Sequence, residues 1–349
     1  MAGVCIYFQT FAPGPRLCRW HSMNTPSPAE QSQYTTTLDL VESELARVET
    51  RIFEVLGCRE ERITEIASYL IKAGGKRIRP AVSLLAFRAC QGDDPSDVID
   101  LSVALELIHS ATLLHDDIID SSDTRRGQDA APVRFGIADT LVTGDLLFSR
   151  AFEICGRFDE KVVVWAADAC VQLTEGEIMQ GRYRRNLDVS EDDYLEIIGR
   201  KTASLFAAGA RIAAYLAGSS PQRMSLMQQC GYEIGLAFQM IDDVLDIEGD
   251  LKKTGKPTDT DLLDGNPSLP VVWGLHLPVV KKAFIHPDCP AELAAEASRA
   301  IREDGIPARV RSRAVVHAQR CVSHLGQLPA SPFREAMESL VCGLVDRDL

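Results

Sequence analysis

Along most of the chain apolar side chains recur every three or four residues, the spacing that sets them on one face of an α-helix. Leu38, Val41, Leu45, Val48 and Ile52 establish the pattern, with Glu and Arg among the residues between them. The same period runs through 60–91, 97–120, 139–180, 190–217 and 222–248. The alternation that a half-buried strand needs is nearly absent. Breakers stand where helices should end: Gly74-Gly75 before Pro80, Gly92-Asp93-Asp94-Pro95, Ser219-Ser220-Pro221, and the stretch from Gly255 to Pro270. Ser190 followed by Asp193 has the form of a helix start, with an acid in the first turn. The pattern predicts an all-α fold, a large bundle of roughly ten or more helices around a central cavity.

Residues 1–35 read differently. No acid occurs before Glu30, whereas Arg16, Arg19 and His21 sit among Pro, Ser and Thr. This segment reads as a disordered extension, or as an overlong start with Met23 as the true initiator. An Arg-bearing, acid-poor organelle leader is the alternative. Residues 36–349 are expected to form a single all-α domain.

Charge then narrows the choice of function. The 349 residues hold 50 acids against 37 Lys and Arg, a net charge of -13. Such a surface repels nucleic acid, and no nucleic-acid partner is expected. The ten cysteines are scattered without a C-x-x-C pair, which suits reduced thiols in a cytoplasmic protein better than zinc or a disulfide framework. No apolar run approaches the ~18 residues of a spanning helix, so no transmembrane segment is expected.

The chemistry concentrates in two segments, Leu113-Leu114-His115-Asp116-Asp117-Ile118-Ile119-Asp120 and Phe238-Gln239-Met240-Ile241-Asp242-Asp243-Val244-Leu245-Asp246. Each is Asp-Asp-x-x-Asp at the end of an apolar helical run. On a helix Asp116 shares a face with Asp120, and Asp242 with Asp246. A solvated acidic face is the usual meaning of clustered charge, but these acids are embedded in Leu, Ile and Val. Like charges ~4 Å apart cost about 1 kcal/mol in water and about 4 at an effective dielectric of 20. A compensating cation removes that cost, and an all-oxygen ligand set selects Mg²⁺ or Mn²⁺. Because Mg²⁺ tends to bridge carboxylates to phosphate oxygens, the third partner should be a diphosphate.

Basic residues supply the complement. Gly74-Gly75-Lys76-Arg77-Ile78-Arg79-Pro80 sets flexible backbone beside three cations, Arg125-Arg126-Gly127 follows the first acidic cluster, and Gly255-Lys256-Pro257 follows the second. Lys201-Thr202 lies inside another helical run. With the acids they describe a cavity for two anionic groups, one held through metal and one by cations alone. His109 stands seven residues before Asp116, on the same helix face.

Taken together, Gly-Gly-Lys-Arg-Ile-Arg-Pro, both Asp-Asp-x-x-Asp motifs, Arg125-Arg126-Gly127, Lys201-Thr202-Ala203-Ser204-Leu205 and Gln239 resemble the trans-isoprenyl diphosphate synthases. The resemblance spans roughly residues 40 to 349 and includes Gly144-Asp145-Leu146-Leu147-Phe148-Ser149-Arg150 and the terminal Asp346-Arg347-Asp348. It implies a helical homodimer that condenses isopentenyl diphosphate with an allylic diphosphate, with two or three Mg²⁺ ions per site. Lys76, Arg79, His109 and Arg126 would hold isopentenyl diphosphate. Asp116, Asp120 and Asp242 would ligate metal, supported by Asp117, Asp243 and Asp246. Arg125, Lys201, Thr202, Gln239 and Lys256 would face the allylic diphosphate or the nascent cation, which makes Asp116, Asp117, Asp120, Asp242, Asp243 and Lys201 the candidate catalytic set. A peripheral membrane contact would serve product release.

The family often carries a lysine in a Gly-Lys-x-x-Leu-Pro segment, where this chain has Asn266 in Gly265-Asn266-Pro267-Ser268-Leu269-Pro270. Position 266 is therefore left out of the expected diphosphate site. Ala111 and Thr112, one turn before Asp116, are small where large aromatics in the family block the product tunnel early. The resemblance thus implies a long-chain product, with Phe148 or Phe152 as deeper stops. The alternatives are a short-chain farnesyl or geranylgeranyl synthase and a non-catalytic subunit of a heteromeric synthase. A terpene cyclase would leave Lys76, Arg79 and His109 without a role. A di-iron bundle would need a second pair like Glu106 and His109.

Overall fold

A computed structural model describes residues 38–249 and 258–346 and turns the helical period into a bundle of more than ten helices. Helix α1 (Glu42–Leu56) buries Val48, Ile52 and Leu56. It leads into α2 (Glu61–Lys72), α3 (Ile78–Ala89) and α4 (Ser96–Ile119), and α4 ends on the first acidic motif. A two-residue ladder follows, β1 (Thr124–Arg125) against β2 (Gln128–Asp129). Its turn residues Arg126 and Gly127 have φ of 53° and 75°, the left-handed pair that a tight hairpin requires. Then come α5 (Ala131–Phe135), α6 (Ile137–Cys155) and α7 (Glu160–Tyr183). Next, α8 (Glu191–Ile198) continues through a π-helical turn (Gly199–Ala203) into α9 (Ser204–Leu216). The long α10 (Pro221–Glu248) ends on the second motif. The chain closes with α11 (Thr260–Asp264), α12 (Leu269–Gly274), α13 (Pro278–Phe284), α14 (Ala291–Glu303), α15 (Ile306–Leu325) and α16 (Pro332–Val345).

The packing order positions the site. Helix α4 lies against α6, α1, α3 and α9, whereas α10 lies against α9 and α15. Helix α9 is thus the wall shared by the two acid-bearing helices. It approaches α10 closely because α10 offers glycine: a Cβ on Gly235 would stand 2.5 Å from the Cα of Ala203, inside the π turn.

Several expectations were met and some need correction. The Ser190–Asp193 start is a full capping box, each side chain bonded to the other's backbone N–H. The run 139–180 is two helices, because Gly156 closes α6 and the Asp159 carboxylate caps α7 by accepting from Lys161 and Val162 N–H. The expectation that no apolar run reaches spanning length also fails for α4. Its 24 residues have a mean hydropathy of 1.4 over the best window, but 72% of that window is buried inside the fold. Helix α4 is apolar on all sides because neighbours cover it on all sides. Residues 1–35 lie outside the described residues, as do Arg347 and Asp348.

Candidate active site

Both acidic motifs sit in the last turn of long helices, where the helix dipole is negative and further anions are disfavoured. At the end of α4 the three acids diverge. Asp117 turns inward, fully buried, and accepts from Arg125 Nε at 2.5 Å. Asp120 accepts from Arg184 Nη2 at 2.7 Å. Asp116 lies under Lys201, and burial pushes its carboxyl up to about 6, with Glu177 and Asp120 adding to the effect while Lys201 and Arg125 oppose it. Lys201 itself pairs with Glu177 and donates to Gln180 Oε1 at 2.6 Å. Burial works against its charge, yet Asp116 and Glu177 hold it above the ordinary lysine range.

At the end of α10 the middle acid again turns into the fold. Asp243 accepts from Tyr194 Oη at 2.7 Å, from Gln239 Nε2 at 2.9 Å and from Leu269 N–H at 3.4 Å. Burial still pushes it up to about 7. Gln239 in turn accepts from the Thr202 hydroxyl at 2.9 Å. The π turn thus presents Lys201 to the first cluster and Thr202 to the second, a use that fits the frequency of such turns at functional sites. Asp246 accepts from Thr260 Oγ1 at 2.6 Å and from Asp261 N–H at 3.1 Å. Asp261 joins the group: burial first, then Asp246 and Asp243, push it well above the usual carboxylate range.

The two clusters share an electrostatic neighbour. Asp264 lies within electrostatic reach of both Asp120 and Asp246. Burial, and then those two acids, push it up to about 6 against the pull of Arg184 and Arg185. On the other side, Asp242 interacts electrostatically with Arg79.

Arg79 belongs to a cationic nest at the start of α3. Its guanidinium lies 4.8 Å from the Phe206 ring centroid, and its Nε is buried without a hydrogen-bond partner. Burial draws it down to about 10, although Glu106 and Asp242 favour its charge. A Cβ on Gly75 would stand 3.0 Å from Arg77 Nη1 and 3.3 Å from Arg126 Nη2, so the glycine gives those two room. His109 faces the same cluster. Burial first, then Arg79, Arg126, Arg125 and Arg77, hold its imidazole well below 6.5. Arg77 is set apart from the other three: Glu49 and Glu106 hold it, the latter at 2.6 Å. Glu106 thus serves as counter-ion, not as an iron ligand.

Asp116, Asp120 and Lys201 therefore form one charged group, Thr202 and Gln239 link to Asp243, and Asp242 interacts with Arg79, near which Arg126 and His109 lie. Lys76 stands exposed at the edge of the nest, and Lys256 lies outside the described residues. The sequence reading missed Glu177, Arg184, Arg185, Tyr194, Asp261 and Asp264. Arg185, with φ 58°, donates to the carbonyls of Leu263, Asp264, His286 and Pro287 and so ties α11 to the turn after α13. Ala111 is fully buried, and Thr112 donates to the His109 carbonyl at 2.8 Å. A separate groove of about 830 Å³, lined by Gly57, Cys58, Arg62, Tyr69 and Lys72 among others, shares no residue with this site.

Among the described residues no three His, Cys, Asp or Glu side chains converge into a complete metal cage. The carboxyls fit a hard cation of a different kind, one that takes one or two carboxylates and completes its shell with water and phosphate oxygens. Burial is the first cause of the upward push on Asp116 and Asp264, and the neighbouring acids add to it; a bound cation would oppose both effects.

Comparison with known proteins agrees with this geometry. The polyprenyl synthetase family profile matches residues 60–285. Octaprenyl diphosphate synthase of Escherichia coli is 34% identical over 316 residues, covering 89% of this chain and 98% of that one. A short-chain isoprenyl diphosphate synthase of Methanothermobacter thermautotrophicus is 35% identical over 297 residues, 82% of this chain and 91% of its own. A crystal structure of a polyprenyl synthase from Caulobacter crescentus, complexed with calcium and isoprenyl diphosphate, superposes with a TM-score of 0.87 at 33% identity, covering 90% of this chain and 98% of that chain. The chain belongs to the polyprenyl synthetase family and is a prenyl diphosphate synthase, a transferase of prenyl groups.

The state of His109 can be read in solution. Its imidazole stays neutral in the fold, while in the unfolded chain it takes up a proton below about pH 6.5. Stability is therefore lost as pH falls through that value, by up to about 1.4 kcal/mol per pH unit. His109→Gln should flatten this part of the profile, measured as the denaturation midpoint between about pH 7.5 and 5.5. Parallel profiles for the two proteins would show that His109 is not held neutral.

Proposed function

We propose that the protein adds isopentenyl diphosphate repeatedly, head to tail, to an allylic diphosphate, giving a long-chain trans-polyprenyl diphosphate with Mg²⁺ as cofactor. The observation that carries this reading is the placing of two acidic helix ends within electrostatic reach of the one acid Asp264, with the cationic group of Arg79, Arg126 and His109 close by. Asp116, Asp120 and Asp242 hold the metal, and Asp117, Asp243 and Asp246 position Arg125, Gln239 and the α11 backbone. The ion, when bound, would neutralise the departing diphosphate and orient it. Lys201, Thr202, Gln239 and Arg125, with Lys256, take the allylic diphosphate. Arg79, Arg126, His109 and Lys76 take isopentenyl diphosphate without metal. A neutral His109 donates a hydrogen bond without competing for charge. The apolar surroundings keep water from the allylic carbon once its C–O bond opens, and the isopentenyl double bond attacks there. The proton lost in that step goes to the released diphosphate.

Residues 36–349 act as one domain, and two copies pair. The exposed apolar residues support pairing: Val164, Val171 and Ile178 recur at seven-residue steps along α7, and Ile178 is 72% exposed. Ile137, Leu141 and Val142 add apolar surface on neighbouring α6. Ile178→Glu should shift the protein from dimer to monomer in sedimentation; a monomeric parent would remove this pairing.

Purified protein incubated with Mg²⁺, isopentenyl diphosphate and a short allylic primer, with the products weighed, tests the activity itself. Asp116→Ala or Asp242→Ala should lower turnover at least about a hundredfold, or about 2.7 kcal/mol of barrier, with the fold retained. Near-normal rates would remove the metal assignment.

A long product would run past Ala111, whose small side chain is buried one turn before the first motif. Ala111→Phe should shorten the longest product, and an unchanged mass distribution would reject the tunnel floor at this position.

A further inference from the structure

Arg184 ends α7 at the seam between the two acidic clusters, and its guanidinium makes two directed contacts. Nη2 donates to Asp120 Oδ1 at 2.7 Å, and Nε donates to Asn266 Oδ1 at 3.0 Å. Asn266 is a fixed acceptor: it is buried, and its backbone N–H donates to the Asp261 carbonyl at 2.7 Å. Asp264, the acid that sees both clusters, feels Arg184 as well. The neighbouring Arg185 is engaged on main-chain carbonyls of the same loop. Arg184 is therefore a cation directed at a candidate metal carboxylate by a neutral amide.

We infer that Arg184 holds Asp120 in the resting state and turns to the diphosphate when a divalent ion takes that carboxylate. The inference rests on the proposed prenyl transfer site. Its physical basis is competition for one anion. A cation arriving at Asp120 offsets the attraction that keeps Nη2 there, while the Nε contact to Asn266 keeps the guanidinium at the seam. Released donors of the planar fork suit phosphate oxygens. Asn266 suits this arrangement, because a lysine there would oppose a second cation to Arg184. Arg184 with Asn266 thus supplies charge where the family often has a lysine on the loop.

Calorimetry with inorganic diphosphate at saturating Mg²⁺, and melting temperature against Mg²⁺ alone, test this without turnover. Arg184→Gln should weaken diphosphate binding about tenfold or more. It should also let Mg²⁺ alone raise the melting temperature at lower concentration, since the competing cation is gone. Asn266→Lys added to Arg184→Gln should recover most of the diphosphate affinity. In assays the KM for the allylic diphosphate should rise about tenfold with kcat within about threefold. Unchanged diphosphate affinity in Arg184→Gln, or a loss that Asn266→Lys does not recover, overturns the inference. If Arg184→Gln fails to fold, Arg184→Lys decides: retained diphosphate affinity with altered Mg²⁺ dependence supports it, and wild-type behaviour in both overturns it. A wild-type protein without prenyl transfer would sink the functional reading, while the calorimetry would still decide Arg184.

Discussion

The structure depends on a deliberate electrostatic conflict. Two helices, α4 and α10, bring their negative ends and aspartates of both motifs within electrostatic reach of the one acid Asp264. Helix dipoles and like charges both disfavour that arrangement, each by amounts near 1 kcal/mol at an exposed surface and more where water is excluded. Burial first, and neighbouring acids after it, raise Asp116 and Asp264 to about 6 and Asp243 to about 7. A fold keeps such an arrangement when something positive is meant to enter it. Lys201 and Arg184 partly offset the charge at rest, and both approach from the outer walls on the α7 side rather than from the acidic helices themselves.

The repeated motif divides its labour by helical geometry. In each Asp-Asp-x-x-Asp the first acid interacts with a basic side chain, Asp116 with Lys201 and Asp242 with Arg79, and the middle acid, about 100° further round the helix, is buried in the protein. There Asp117 secures Arg125, and Asp243 secures Tyr194, Gln239 and the start of α12. The third acid differs between the motifs: Asp120 meets a side-chain cation, whereas Asp246 caps α11 through Thr260 and Asp261. The first motif therefore ends on a carboxylate paired with the Arg184 side chain, and the second is tied into the backbone of the scaffold. Two identical sequence patterns thus yield two unequal ends.

Much of this was legible in the sequence because it is periodic or local. The 3.6-residue repeat located the helices, and i,i+4 spacing paired the outer acids. What escaped notice came from tertiary approach. Glu177, Arg184 and Tyr194 carry no motif, and each matters only because a distant helix end comes to it. Arg185 sits 78 residues or more from the carbonyls it binds, and no local pattern encodes that reach. The break between α6 and α7 was readable from Gly156 and Asp159 but was hidden by a continuous apolar period on either side. The apolar length of α4 was underread, since a helix largely covered by neighbours has a composition close to that of one covered by lipid.

The metal-free half of the site follows a different principle. Arg79 is half-buried and its Nε is buried without a partner, so part of the desolvation of a guanidinium is a cost already borne by the folded protein. Even drawn down to about 10, it stays charged at neutral pH. Anything that brings compensating oxygens to it gains strength from the low surrounding dielectric without first stripping water from the cation. His109, kept neutral by the same arginines, adds a donor without another positive charge to be separated. An anion there meets pre-oriented donors and little competing acid, whereas an anion between the acidic helix ends meets repulsion until a divalent ion intervenes. The two halves can therefore hold chemically identical diphosphates in different states: one tightly bound and inert, the other bound only together with the ion that makes it a leaving group.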